Sequence, residues 1–334
     1  MCVMKKHLIN NPLPKSFLKN YLIVVVLIGM FSLLSLLNRN FLTLNNILNL
    51  LTQTSIYGIL ALGLFIVLVS KGIDLSVGST LAFSGIMIGT VSQTSQAIDK
   101  VFPSVGQAPL IVTILLALII GGLIGLINGS LIAYFQVPPF IATLGSQIAV
   151  RGGALMIAQG KPVSNINPQI NFLGSRIFGV LPVPVLIYVG VIIVMWVLMN
   201  NTSFGKSVYA IGGNIEAAEI SGIKVKRNLV LVYVISGVLA GLSSLIYIGR
   251  TGGSIQPAAG TMYETTAIAA ATIGGTSHGG GIGTVWGVVI GALILGTLTN
   301  GFTLLGIDAY IQQIIQGLII ISAVVLDMRK NKKM

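Results

Sequence analysis

The sequence predicts an all-α fold, a polytopic transmembrane helical bundle of about ten spans, and composition, segment length and charge placement each point to it. Of the 334 residues, 54% are hydrophobic and only 8% are charged, and the mean hydropathy is +0.96. A soluble domain carries about 25% charged residues. That much apolar surface needs a cover, and a lipid bilayer supplies one. The 41 glycines suit helices that approach closely, because in lipid the hydrophobic effect no longer draws helix to helix.

Taken in order, a basic tail, 1–20, precedes a single transmembrane domain, 21–328, and a second basic tail, 329–334. The first apolar run, 21–37, is long for the core of a signal peptide. Asn38, Arg39 and Asn40 follow it where a cleavage site would need small residues, so it reads as a retained span. Nine further runs follow at 52–69, 76–92, 109–134, 140–158, 182–200, 228–249, 261–274, 283–304 and 310–327. The run 261–274 is too short to cross a core of ~30 Å alone. It reads as a half-helix or discontinuous span held by its neighbours.

The net charge of +12 is clustered. Lys5, Lys6, Lys15 and Lys19 precede the first run, Arg329, Lys330, Lys332 and Lys333 follow the last, and Lys206, Lys224, Lys226 and Arg227 share one central polar stretch. An even number of spans puts all three clusters on one side, which the positive-inside rule makes the cytoplasm, with both termini there. Counted by loop, thirteen basic residues, Lys71 included, then face inward, against five outward: Arg39, Lys100, Lys161, Arg176 and Arg250. No aromatic residues interleave with the basic clusters, so nucleic acid is not an expected partner. Cys2 is the only cysteine, and no intrachain disulfide can form.

Gly121, Gly125 and Gly129, like Gly283, Gly287 and Gly291, recur every four residues and predict two backbone-wide packing grooves. There is also an internal echo. Glycine-bearing turns at 71–79 and 274–281 each join two apolar runs of the same orientation.

Catalytic chemistry finds no footing. The histidines are His7 and His278, and neither a metal-ligand set nor a nucleophile elbow is present. Gly205-Lys206-Ser207 resembles the end of a phosphate loop, but the required first glycine is Asn200. The chain is therefore not expected to be an enzyme, nor to hold a metal or cofactor. In the cytoplasmic loop 201–227, Asn214 can cap a helix of about eight residues with Glu216 at its positive end, and Gly222 offers a left-handed stop. Such a helix either couples to a cytoplasmic partner or lies on the membrane. Within the spans, Arg151 and Glu264 sit at similar depth as a candidate ion pair, locking two helices or serving as a coupling site. Gln53, Thr54, Asn128, Gln147 and Asn300 are neutral hydrogen-bonding groups that either line a path or join helices.

Several runs together resemble the permease subunits of bacterial ribose- and galactose-type monosaccharide ABC importers, from about residue 41 to 327. They are Gly72-Ile73-Asp74-Leu75-Ser76-Val77-Gly78, Pro139-Phe140-Ile141-Ala142-Thr143-Leu144-Gly145 and Ala210-Ile211-Gly212-Gly213-Asn214. Glu216-Ala217-Ala218, Ser221-Gly222-Ile223, Met262-Tyr263-Glu264 and Gly274-Gly275-Thr276-Ser277 continue the series, with Asn300-Gly301 last. The resemblance implies a ten-span subunit of the bacterial plasma membrane that pairs with a second copy. It implies a periplasmic or surface-tethered sugar-binding protein, and an ATPase with two fused nucleotide-binding modules that binds ATP and Mg in place of this chain. It further implies ATPase coupling through Gly212, Gly213, Asn214, Glu216, Ala217, Ala218, Ser221 and Gly222, and an alternating-access cycle. The family's second acid is absent, since Thr266 stands in its place. Residues around Glu216 and Met262 resemble the galactose branch and 72–79 the ribose branch, so the sugar stays open. The competing class is an ion-coupled secondary transporter of a small polar solute, for which Glu264 is the main intramembrane acid.

Overall fold

The computed structural model describes residues 15–97 and 100–331; Cys2, Lys5, Lys6, His7, Lys332 and Lys333 of the tails lie outside them. Every apolar run in the sequence forms a helix. They are α1 (Lys15–Leu37), α2 (Leu44–Val69), α3 (Val77–Ser92), α4 (Leu110–Ala133), α5 (Pro139–Ile157) and α6 (Val183–Asn201). The central loop supplies α7 (Ser203–Gly213) and α8 (Ile215–Ile220), and then come α9 (Val225–Arg250), α10 (Tyr263–Ile273), α11 (Val285–Leu304) and α12 (Ala309–Asn331). A 3-10 turn (Pro168–Gly174) and a two-residue hairpin, Arg176–Ile177 with Leu181–Pro182, join α5 to α6. The result is a helical membrane protein. Among the described residues six helices, α2, α4, α5, α6, α9 and α11, are long and apolar enough to cross a bilayer by length and composition.

Local chemistry fixes several ends. Thr202, Asn214 and Thr284 each accept a hydrogen bond from a backbone amide in the first turn of α7, α8 and α11. Proline, which has no amide to leave unpaired, opens α5. Helix α2 is the central post, packed on α6, α9, α10 and α11, with Ile59, Leu62, Leu64, Phe65 and Ile66 fully buried. It begins two turns before the predicted 52, because Asn45, Asn46 and Asn49 find polar partners that hold those turns helical.

Five of the six groove glycines face backbone; the sixth, Gly283, precedes α11 and faces the Phe65 and Thr276 side chains, so the second groove rests on Gly287 and Gly291. A Cβ at Gly121 would strike the Gly237 carbonyl of α9, one at Gly237 would strike that of Gly121, and one at Gly125 would meet Tyr233. A Cβ at Gly287 would meet Gly274, and one at Gly291 would meet Ala270, so the second groove seats α10. The sequence singled out the α4 stripe but not its counterpart, Gly237 and Gly241, on α9. The two echoing turns touch: the Gly281 amide donates to the Val69 carbonyl at 2.8 Å.

Candidate functional site

The expected half-helix is α10, which follows a non-helical segment after α9. After α9 the chain turns, pairs Ile255 with Val163 by hydrogen bonds of 2.8 and 2.9 Å, and continues through successive turns over 257–262. It then runs beside α3. A Cβ at Gly89 or Gly85 would meet Ile255, and one at Gly78 would meet the Gly260 carbonyl and the Glu264 carboxylate. From Gly89 to Gly78 is about 16 Å along a helix, so this irregular segment reaches well into the bundle before α10 begins. Non-helical backbone at that depth must be satisfied by protein. Arg151, on α5, does this by donating from Nη1 to the Pro257 and Ala259 carbonyls, both at 2.6 Å.

Glu264 is 5% exposed in the first turn of α10, where the helix dipole favours an acid. Gln147 donates to its Oε1 at 3.1 Å, and its Oε2 has no hydrogen-bond partner. Arg151 and Glu264, which the sequence paired, sit as electrostatic neighbours around the same non-helical segment without a hydrogen bond between them. One serves the turn backbone before α10, the other the helix start.

A polar ladder leads to the start of α10 along α2. Asn45, Asn49, Gln53 and Tyr57 recur every four residues and so share one face. They are exposed or half-buried on a helix otherwise enclosed. Arg176 donates to Asn45 and Asn49 at 3.0 and 2.8 Å, and Gln53 reaches the Tyr57 hydroxyl at 3.4 Å. The Tyr57 ring meets Tyr263 edge-on at 4.7 Å, and Tyr247 stands 6.4 Å from Tyr263. Aromatic edges and neutral amides in one half-buried cluster suit a polyol, which offers C–H faces and hydroxyls together. The sequence found Gln53 but not the three tyrosines; a four-residue spacing of polar residues from Asn45 was the available signal.

Three other polar residues join helices. Asn128 is fully buried and donates to Ser76 Oγ at 2.9 Å. Asn300 exchanges two amide hydrogen bonds with Asn46, at 2.9 and 3.0 Å. Thr54 is buried against Gly296. Asp74, quoted in a sequence motif without a role, is the node of the α2–α3 turn. It accepts from the Ser76 amide and hydroxyl at 3.0 and 2.6 Å and from Ser236 at 3.0 Å. Burial raises its pKa above the usual carboxylate range, and the Ser76 and Ser236 hydrogen bonds offset part of that.

The central loop is a two-helix unit. Asn214 caps α8 by accepting from the Ala217 amide at 3.0 Å, and Gly222 stops it at φ +82°. Helix α8 has six residues, against about eight predicted, and α7 precedes it unforeseen. Gly213, Asn214, Glu216, Ala217, Ser221 and Gly222 are exposed. Gly212 is buried where a Cβ would strike the Val69 carbonyl and, at 2.5 Å, the Gly281 amide. Ala218 is 3% exposed and packs with Ile211 and Val225, so it anchors α8 and presents nothing to a partner. Ile220, expected to continue the helix but not as a coupling residue, stands 89% exposed beside Glu219.

Residues 46–324 match the model of a family described as the branched-chain amino acid transport system permease component. The chain belongs to that permease family. Its relatives include the galactose/methyl galactoside import permease protein MglC of Haemophilus influenzae, 39% identical over 96% of this chain and 97% of that one. The ribose import permease protein RbsC of Bacillus subtilis is 40% identical over 91% and 92%. The D-allose transport system permease protein AlsC of Escherichia coli is 37% identical over 92% and 90%. No solved structure gives a significant match. This permease is a multi-pass protein of the plasma membrane with sugar import permeases as its relatives.

Proposed function

We propose that this permease forms the translocation path for a monosaccharide in an ATP-driven importer. The observation that carries the reading is the half-buried cluster of Gln53, Tyr57, Tyr247 and Tyr263 at the start of α10, in a chain whose relatives are galactose, ribose and allose import permeases. In this reading the ten apolar helices, α10 with the irregular lead before it included, span the membrane with both termini cytoplasmic. A second copy completes the path, and a sugar-binding protein delivers to the end where α2 begins. ATP and Mg are bound by a separate ATPase with two fused nucleotide-binding modules.

The ATPase docks on the exposed face of α8, with Glu216, Glu219 and Ile220 as its contacts. Force passes inward through the backbone contacts of Gly212 with Val69 and Gly281, into α2 and the turn after α10. That turn is tied to α7 a second time, by the Tyr209 hydroxyl on the Gly283 carbonyl at 2.9 Å. Movement of α7 would therefore shift α10, and with it Tyr263, between two arrangements of the cluster, an alternating-access cycle. The test is co-purification. Glu216→Lys with Ile220→Asp should abolish recovery of the ATPase with the permease while membrane insertion is unchanged, and full recovery would defeat the docking assignment. Tyr263→Ala should raise the KM for sugar about tenfold with the complex intact, on the scale of one lost aromatic contact; an unchanged KM would remove the cluster from the path.

A further inference from the structure

The membrane-facing side of α6 and α9 holds a cleft that the transport reading does not use. Both helices pack on α2 but leave a groove of about 520 Å³ between them, walled by Ile187, Val191, Val194 and Leu198 of α6 and by Ile235 and Val238 of α9. Gly190 keeps it open, since a Cβ there would meet nothing within 4 Å. At the foot of the groove α7 crosses between the two helices, and a second cavity of about 410 Å³ opens, lined by Ser203, Ser207, Lys224, Arg227 and Asn228. The two cavities are neighbours along α9, where Arg227 and Leu231 line the basic pocket and Ile235, four residues on, lines the aliphatic groove. Among the described residues no carboxylate lines either cavity. Lys226, between the two basic residues in sequence, turns elsewhere and stands 5.9 Å above the Tyr134 ring.

We propose that this composite cleft binds one anionic phospholipid, with an acyl chain in the α6–α9 groove and the phosphate between Lys224, Arg227 and the Ser203 and Ser207 hydroxyls. Charge complementarity commits the pocket to an anion, since guanidinium and ammonium groups beside hydroxyls at the end of a membrane helix are the chemistry of a lipid phosphate. The all-aliphatic groove beside it commits that anion to a lipid tail rather than free phosphate. Ser221 and Gly222 border the pocket at the end of α8, so a bound headgroup braces the docking unit from its membrane side.

The test is purification of the full chain with equimolar phosphatidylglycerol and phosphatidylcholine, reading the retained lipid by native mass spectrometry. A basic residue at the membrane surface is worth about fivefold in affinity for an anionic lipid, so two predict a preference of roughly 25-fold. Lys224→Gln with Arg227→Gln should bring the preference close to unity, and Arg227→Lys should keep most of it. Val194→Trp, which fills the groove without touching a charge, should cut retained phosphatidylglycerol several-fold. Equal retention of both lipids by the wild type would overturn the proposal, as would a preference indifferent to the two charges. So would phosphatidylglycerol retention indifferent to Val194→Trp, which marks headgroup attraction alone, or a disulfide between two copies carrying Val194→Cys, which marks a second subunit in the groove.

Discussion

Arg151 and Asp74 hold irregular backbone in place, a task for which the membrane interior leaves few means. A carbonyl in hydrocarbon without a donor costs several kcal/mol, and Arg151 satisfies two with one guanidinium nitrogen. Arg151→Gln should therefore lower unfolding stability in detergent by about 3 kcal/mol, the loss of two charge-assisted hydrogen bonds; a melting temperature equal to the wild type would contradict the assignment. Asp74 gathers α2, α3 and α9 through the Ser76 and Ser236 contacts, with Asn128 of α4 one bond beyond. Asp74→Ala should cost more than Asp74→Asn, because alanine orphans every donor whereas asparagine keeps one acceptor and removes a charge that burial already disfavours. Thermal melts of the two variants decide the order. Sequence reasoning reached Arg151 and Glu264 because charges stand out in apolar runs. It gave them each other as partners because the carbonyls that Arg151 serves belong to a non-helical segment with no mark in the sequence beyond a short helix.

At the scale of the element, α10 and the irregular lead before it show why length alone foretold a half-helix but not its entry path. The short apolar run was legible, and so were the glycines of α11 that seat it, since four-residue spacing is a local signal. The lead, 251–262, needed knowledge of Val163 and α3, which are distant in sequence. The same limit explains α7, whose place depends on Gly212 reaching Val69 and Gly281 across the fold. The α4–α9 crossing provides the direct check on glycine packing. Gly121→Val should destabilise the protein by about 1–3 kcal/mol and lower its yield, because the new Cβ meets the Gly237 carbonyl. Gly29→Ala, with nothing within 4 Å of the added carbon, should be close to neutral by the same melt. Equal effects would mean that the close contact does not hold the two helices.

On the scale of the whole molecule, composition and charge placement were enough for the class, since no other environment covers so apolar a chain. The pathway was harder to read, because a polar residue in a span serves a substrate or a neighbouring helix with the same chemistry. Of the five neutral residues singled out, Asn128, Asn300 and Thr54 proved to bridge or pack helices, Gln147 supports Glu264, and Gln53 alone stands in the tyrosine cluster. Glu264 is a buried acid of the kind an ion-coupled carrier would use, and among the described residues its Oε2 has no hydrogen-bond partner. The measurement that separates the two readings most directly is sugar uptake by vesicles carrying this permease with its ATPase and binding protein. The account predicts uptake that needs ATP inside, stops with an ATPase unable to hydrolyse it, and is indifferent to a protonophore. Uptake that persists without the ATPase and collapses with the proton gradient would contradict it.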